Sequence, residues 1–199
     1  MLSSIENLEA LLHQSADLHQ HLCPRQVLGV RVGLCGGAAL GLDVPRTDKQ
    51  LLIFVETDGC AADGVSVATG SSVGRRTLRV LDFGKLAATF VDTHTSQAVR
   101  VVPRAGIRTA AQRYAHSAPT RWMAQLEGYQ QMPVQDLLQI QPVVLNIDVE
   151  KLISRPCVRS TCDTCGEEII NEREIIYEDM ILCRACAGES YYDLESATR

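Results

Sequence analysis

The hydrophobic pattern at the start of the chain is helical. Ile5, Leu8, Leu11 and Leu12 recur at spacings of three and four, and Ser3 with Glu6 carries a capping-box signature, so a helix is predicted over about 4–17. A second helical pattern follows His21. Pro24 stands where a helix accepts proline, Val27, Leu28 and Leu34 supply an apolar face, and Gly29, Gly33 and Gly37 fall four residues apart. Each interior glycine costs about 1 kcal/mol relative to alanine. The strip therefore predicts close packing against another backbone.

From residue 51 the period changes. LLIFVET (51–57) reads as a buried strand that feeds at Asp58 or Gly59 into a short helix through AADGVSVAT (61–69). TLRVLD (77–82), AATFVD (87–92) and AVRVVP (98–103) predict a three-stranded antiparallel meander. Helices are expected over 107–116 and 120–129, then a proline-started helical turn at 133–138 and a strand at PVVLNI, 142–147. DVEKLISRP (148–156) is polar and ends in proline ahead of a rise in cysteine density. The predicted organisation is an α+β domain over 1–150, with a mostly antiparallel sheet and packed helices, and a linker plus small four-cysteine zinc-binding domain over 151–199.

Composition narrows the class. In 199 residues, 46% hydrophobic and 22% charged content is that of a soluble globular chain, and no apolar run reaches the roughly 18 residues of a membrane span. The first residues are acidic where a secretory signal would be basic, so a cytoplasmic location is expected. A formal net charge of -5 opposes general affinity for nucleic acid or anionic membrane.

Eight cysteines carry most of the chemistry, and a reducing compartment points to metal sites in preference to disulfides. Cys162-x-x-Cys165, 17 residues, then Cys183-x-x-Cys186 is two-knuckle spacing for a structural zinc held by four thiolates. Four closed thiolates leave no open coordination position, which disfavours a catalytic ion. So short a segment needs the metal to fold. Cys157 has no partner at ligand spacing and reads as a spectator.

The second concentration is His19-x-His21-x-Cys23-Pro24 at the entry to the glycine-strip helix, with Cys60 at a second helix start. A thiol at a helix N-terminus feels the positive end of the dipole, which favours the thiolate that binds metal or attacks an electrophile. Periodicity alone leaves open a surface histidine pair with two buried structural cysteines. GSSVGRR has neither the spacing nor the Lys-Ser or Lys-Thr of a Walker loop, although Gly70, Gly74, Arg75 and Arg76 are candidates for a modest anion-binding turn.

L-H-Q-H-L-C-P near residue 20, E-T-D-G-C-A-A-D-G-V at 56–65, T-G-S-S-V-G-R-R at 69–76 and D-F-G-K at 82–85 resemble the formylmethanofuran dehydrogenase FmdE family. That family's pattern is approximately H-G-H-x-C-P-G, E-T-D-x-C-x-x-D-A, T-G-C-T-x-G-K and D-Y-G-K. The resemblance covers about residues 5–103 and extends to the terminal zinc ribbon. It implies an α+β domain that pairs as a homodimer and a metal-binding cleft. By residue match, His19, His21, Cys23 and Cys60 would hold a second transition metal, taken as zinc. Asp58 and Asp63 match the pattern as groups that orient a ligand histidine, act as base or cap a helix. Gln20 and Arg25 replace small glycines, and Ser71 stands where the family has cysteine, which implies a site open to water or ligand.

Three functions follow. The first is a metal-binding accessory or small-ligand protein, partnered with a molybdenum or tungsten oxidoreductase. The second is a stand-alone metal-dependent enzyme, with Cys23, Cys60, Asp58 and Ser71 around the reacting centre. A zinc-ribbon regulator binding nucleic acid or a protein is the third. Residues 157–199 oppose nucleic acid, because four arginines face ten acidic residues.

Overall fold

The structure is a computed structural model describing residues 2–153 and 157–194, with side chains from residue 7 onward. The chain divides into two compact units, Met1–Leu145 and Asn146–Arg199.

In the first unit, α1 spans Leu2–His19 and α2 spans Pro24–Ala39. Because α1 begins at Leu2, Ser3 lies within the helix; the side chains of the predicted Ser3–Glu6 box are outside the described residues. The cap that forms belongs to α2. Cys23 is its N-cap in extended conformation, and its N–H donates to Gln26 Oε1 at 2.8 Å. Gln26 is fully buried, and its amide nitrogen also donates to the Ser15 carbonyl at 2.7 Å. One side chain thus caps α2 and fixes it to α1.

Strand β1 (Leu51–Val55) leads into α3 (Cys60–Thr69) and then β2 (Leu78–Val80). β3 (Ala88–Asp92), β4 (Ala98–Pro103) and β5 (Leu138–Pro142) complete a sheet of order β2-β1-β3-β4-β5. The expected meander is corrected here. β2 pairs in parallel with β1, Ile53 opposite Leu78, because α3 carries the chain back before β2 starts. The other three pairings are antiparallel, so the sheet is mostly antiparallel as expected. β5 also lies earlier than PVVLNI. Its partner β4 begins at Ala98, whose carbonyl accepts from Val143 N–H, so beyond Val143 there is no strand left to pair with. Val144 is accordingly 92% exposed.

Between β4 and β5 lie α4 (Ile107–Ala110), which continues as one 3-10 turn to Arg113, α5 (Arg121–Gln131) and α6 (Val134–Leu137). Thr120 caps α5, its hydroxyl accepting from Met123 N–H. Arg31 of α2 is buried and donates to the carbonyls of Tyr129, Gln130 and Met132 at 2.7–2.9 Å, satisfying the exit of α5. The core gathers Val27 and Val30 of α2, Ile53 and Val55 of β1, Phe90 of β3 and Val101 of β4. Each is at most 2% exposed, so α2 is the helix about which the first unit closes.

The glycine strip finds its backbone within the chain. A Cβ on Gly29 would stand 2.2 Å from the Ala61 carbonyl oxygen, one on Gly64 2.5 Å from that of Gln26, and one on Gly36 2.4 Å from the Phe90 ring. Gly29 and Gly33 thus pack on α3, Gly36 on the sheet and Gly37 on Val44, so the glycine face is no argument for a dimer.

The second unit holds α7 (Val149–Ile153) and two hairpins, β6 (Arg159–Thr161) with β7 (Glu168–Ile170) and β8 (Ile175–Tyr177) with β9 (Met180–Leu182). Its buried cluster is Cys162, Ile169 and Leu182.

Arg100 of β4 spans the sheet to Glu56, just after β1, donating from Nε at 2.5 Å and Nη2 at 2.7 Å. The guanidinium holds the Glu56 carboxyl below its ordinary 4.5. A depressed carboxylate stabilises the fold above its unfolded value, and that contribution is lost as pH falls through the folded value. Glu56→Gln should destabilise the protein by about 3 kcal/mol at neutral pH. It should also flatten the acid limb below pH 4.5 in chemical denaturation.

Candidate metal centres

The second unit brings its four cysteines together: one sulfur each from Cys162, Cys165, Cys183 and Cys186, all within 4.8 Å of one another. Four thiolates on one zinc ion would sit about 3.8 Å apart, given bonds of about 2.3 Å, and Cys165 Sγ lies 4.0 Å from Cys183 Sγ. The hairpins make this arrangement. Gly166, at φ 76°, turns the first knuckle so that its N–H reaches the Cys162 carbonyl at 2.9 Å. Asp163, inside that knuckle, pins the second hairpin, its carboxylate accepting from Ile181 N–H at 2.7 Å.

Backbone N–H groups aim at the sulfurs, as they do around thiolate-bound ions. Those of Cys165 and Cys183 hold the Cys162 thiol down at about 6, while the Cys183 thiol pushes its neighbour Cys186 up to about 12. The crowding lets Cys162 ionise readily and resists ionising Cys165 and Cys186. A divalent cation removes that resistance. The set fits a metal ion such as zinc. Cys157 is exposed and outside the cluster, and Tyr177, Tyr191 and Tyr192 are too exposed to serve as ribbon packing, at 57%, 94% and 48%.

In the first unit the end of α1 and the starts of α2 and α3 meet. His19 closes α1, and its Nε2 lies 3.2 Å from Cys60 Sγ while its Nδ1 lies 3.2 Å from Asp63 Oδ2. Cys60 and Asp63 stand three apart on α3, on one helix face, which is why one ring touches both. Burial and the adjacent Cys23 thiol both push the Cys60 thiol up. The His21 ring lies 5.0 Å from that of His19 and is exposed. These are pairwise contacts: among the described residues, the ribbon cysteines are the one group of three or more ligand atoms mutually within 4.8 Å.

Other candidates fall elsewhere. Ser71 is buried beyond the far end of α3, and its carbonyl accepts from Ser66 Oγ at 2.6 Å. About 15 Å of helix separates it from Cys60 within the chain. Within one chain Ser71 therefore does not adjoin Cys60. Asp58 is exposed, with no described side-chain bond to either histidine. At the glycine-arginine turn, Arg75 Nη1 donates to the Gly70 carbonyl, Gly70 sits against the Arg46 backbone as the cap of α3, and Gly74 is exposed. Arg75 thus braces the turn, and Arg76 follows at φ 64°. Sequence reading missed Gln26. Its position three residues after an N-cap is the capping-box signature, with cysteine in place of serine.

A family model described as "FmdE, Molybdenum formylmethanofuran dehydrogenase operon" matches residues 18–153. The chain is 29% identical over 203 residues to a probable S-adenosyl-L-methionine-binding protein of Archaeoglobus fulgidus. The alignment covers 93% of this chain and 54% of that protein, so the chain spans about half its relative's length. Its fold is similar to that of a tungsten formylmethanofuran dehydrogenase FmdE-like protein from Syntrophus aciditrophicus, with a TM-score of 0.59 at 19% identity over 93% of this chain and 94% of the other. At that identity the likeness concerns the fold alone. No helix among the described residues is long and apolar enough to cross a membrane.

Cys183→Ser should remove metal from the ribbon and melt the second unit while the first keeps its cooperative transition. Metal analysis with two-probe thermal denaturation reads both effects; a metal-free ribbon that stays ordered would defeat the assignment.

Proposed function

Because the chain belongs to the FmdE family, we propose that it is a metal-binding accessory or small-ligand protein serving a molybdenum or tungsten oxidoreductase system, with a structural zinc in the ribbon and a more labile transition-metal centre at His19, Cys23 and Cys60. The observation that carries this is His19 held between Asp63 and Cys60. A carboxylate on one ring nitrogen fixes the tautomer and leaves the other for a metal. The donors fit: nitrogen and sulfur ligands of one tetrahedral zinc are about 3.5 Å apart, against 3.2 Å here. His19 and Cys60 would hold the ion, and Cys23, on the next helix start, would close on it, with His21 alongside. Such an ion supplies Lewis acidity at an open position. The enzyme reading draws on the same centre, with Ser71 remote, Asp58 exposed and Asp63 as the carboxylate in contact with His19.

The domain division proposed from the sequence, 1–150 and 151–199, assigns one metal to each part. A cytoplasmic location is part of the same reading. The homodimer needs another surface, since the glycine face is used internally. An open apolar groove of about 1280 Å³, with Leu12, Leu34, Met132 and Ile140 in its walls, is the face we assign to it.

The purified chain should carry two metal ions, one released by a mild chelator. Cys60→Ser should abolish the labile ion and leave the other, while Asp63→Ala should weaken it by about 10- to 100-fold. A single ion unaffected by Cys60→Ser would overturn the reading. Light scattering should report a dimer, and Ile140→Glu, at an exposed position of the groove, should shift it toward monomer; a monomeric wild-type chain defeats that assignment.

A further inference from the structure

Helices α2 and α3 run parallel, starts together. Near the start, Gly29 of α2 meets Ala61 and Gly64 of α3, and one turn further on Gly33 meets Val65, Ala68 and Thr69. The early contact is backbone on backbone: a Cβ on Gly29 would stand 2.2 Å from the Ala61 carbonyl oxygen and 3.0 Å from Gly64 Cα. A Cβ on Gly64 would stand 2.5 Å from the Gln26 carbonyl oxygen and 2.8 Å from Val30 N. Ala61 is the residue after Cys60, and Gln26 is the residue whose side chain caps Cys23. The tightest point of the crossing therefore lies next to Cys60 and within two turns of Cys23.

Parallel helices set two partial positive charges side by side, which is unfavourable unless negative charge stands at the shared end. Cys23 and Cys60 occupy that end as N-cap and first helical residue. Cys60 is approached through Asp58 and Gly59, both exposed, and a Cβ at Gly59 would meet nothing within 4 Å.

We propose that Gly29 and Gly64 are positioning residues of the first-unit centre, their backbone contact setting the separation at which Cys23 and Cys60 share one ligand. The function of that spacing rests on the metal reading above, whereas the spacing itself is a property of the two thiols. An added methyl at Gly29 pushes on a rigid carbonyl beside Cys60, so the helix starts move apart. A methyl at Gly33 is also crowded, 2.7 Å from Ala68 Cβ against 2.2 Å from backbone at Gly29, but acts further along the crossing. The pair therefore separates positioning from stability.

The test uses the full chain with zinc in the ribbon as wild type, Gly29→Ala and Gly33→Ala. Each is treated with a short bis-alkylating thiol reagent and mapped by peptide mass, and in parallel titrated with Co2+ while the sulfur-to-cobalt absorption is followed. Both variants should melt at lower temperature than wild type. The Cys23–Cys60 cross-link should form in wild type and Gly33→Ala and fall at least tenfold in Gly29→Ala, with cobalt absorption in the same order. The proposal is overturned by absence of the cross-link in wild type, by equal yields in Gly29→Ala and wild type, by equal losses in the two variants, or by failure of either variant to fold. The expected cross-link pattern with no cobalt absorption beyond the ribbon would sink the metal reading and leave the positioning role standing.

Discussion

The first unit depends on how closely α2 can approach what surrounds it. With hydrogen in place of a side chain at Gly29, Gly33 and Gly64, α2 and α3 touch at backbone distance, and Gly36 lets the same helix rest on the Phe90 ring of the sheet. Dispersion and hydrophobic burial reward such contact only at full packing density, so a single Cβ in the seam costs more than the glycines do. Two polar clamps hold α2 in place. Gln26 ties the start of α2 to α1, and Arg31 ties its middle to the exit of α5. Both side chains are buried with their hydrogen-bonding groups engaged, the condition under which buried polar groups specify an arrangement and do not weaken it.

The second unit coheres differently. Its described core is Cys162, Ile169 and Leu182, and one of those three is itself a ligand. Two-stranded hairpins with so little apolar cover are marginal in water. Their geometry is nevertheless specific: Gly166 turns the first knuckle, Asp163 holds the second hairpin, and N–H groups converge on sulfur. The hydrogen bonds thus prepare a cage that suits a metal ion such as zinc, and in so small a unit its binding would be coupled to folding.

At the first-unit centre the chemistry comes from three separate segments. His19 belongs to α1, Cys23 to the cap of α2, and Cys60 with Asp63 to α3. No local segment can tune such a set alone. Its character follows from which helix ends are brought together, and the exposed His21 and Arg25 stand at its rim.

Local chemistry was legible in the sequence. Pro24, Thr120 and the turn before Cys60 mark helix starts because capping uses groups within four residues, and the ribbon's spacing sets its ligand geometry for the same reason. Strand identity was legible for LRV, but its neighbour was not: alternation specifies which face is buried, and pairing β2 parallel to β1 is decided by where α3 returns the chain. PVVLNI is apolar enough for a strand, yet β4 runs out before it. Ser71 and Cys60 belong to neighbouring motif blocks but stand at opposite ends of α3, since a helix converts sequence separation into distance. Asp63 gained its place over Asp58 through one helical turn and a histidine 44 residues away. The residues by themselves determined the donors and the helix starts that carry them; the tertiary structure alone decided which donors meet, because a glycine's missing side chain has meaning only once another backbone fills the space.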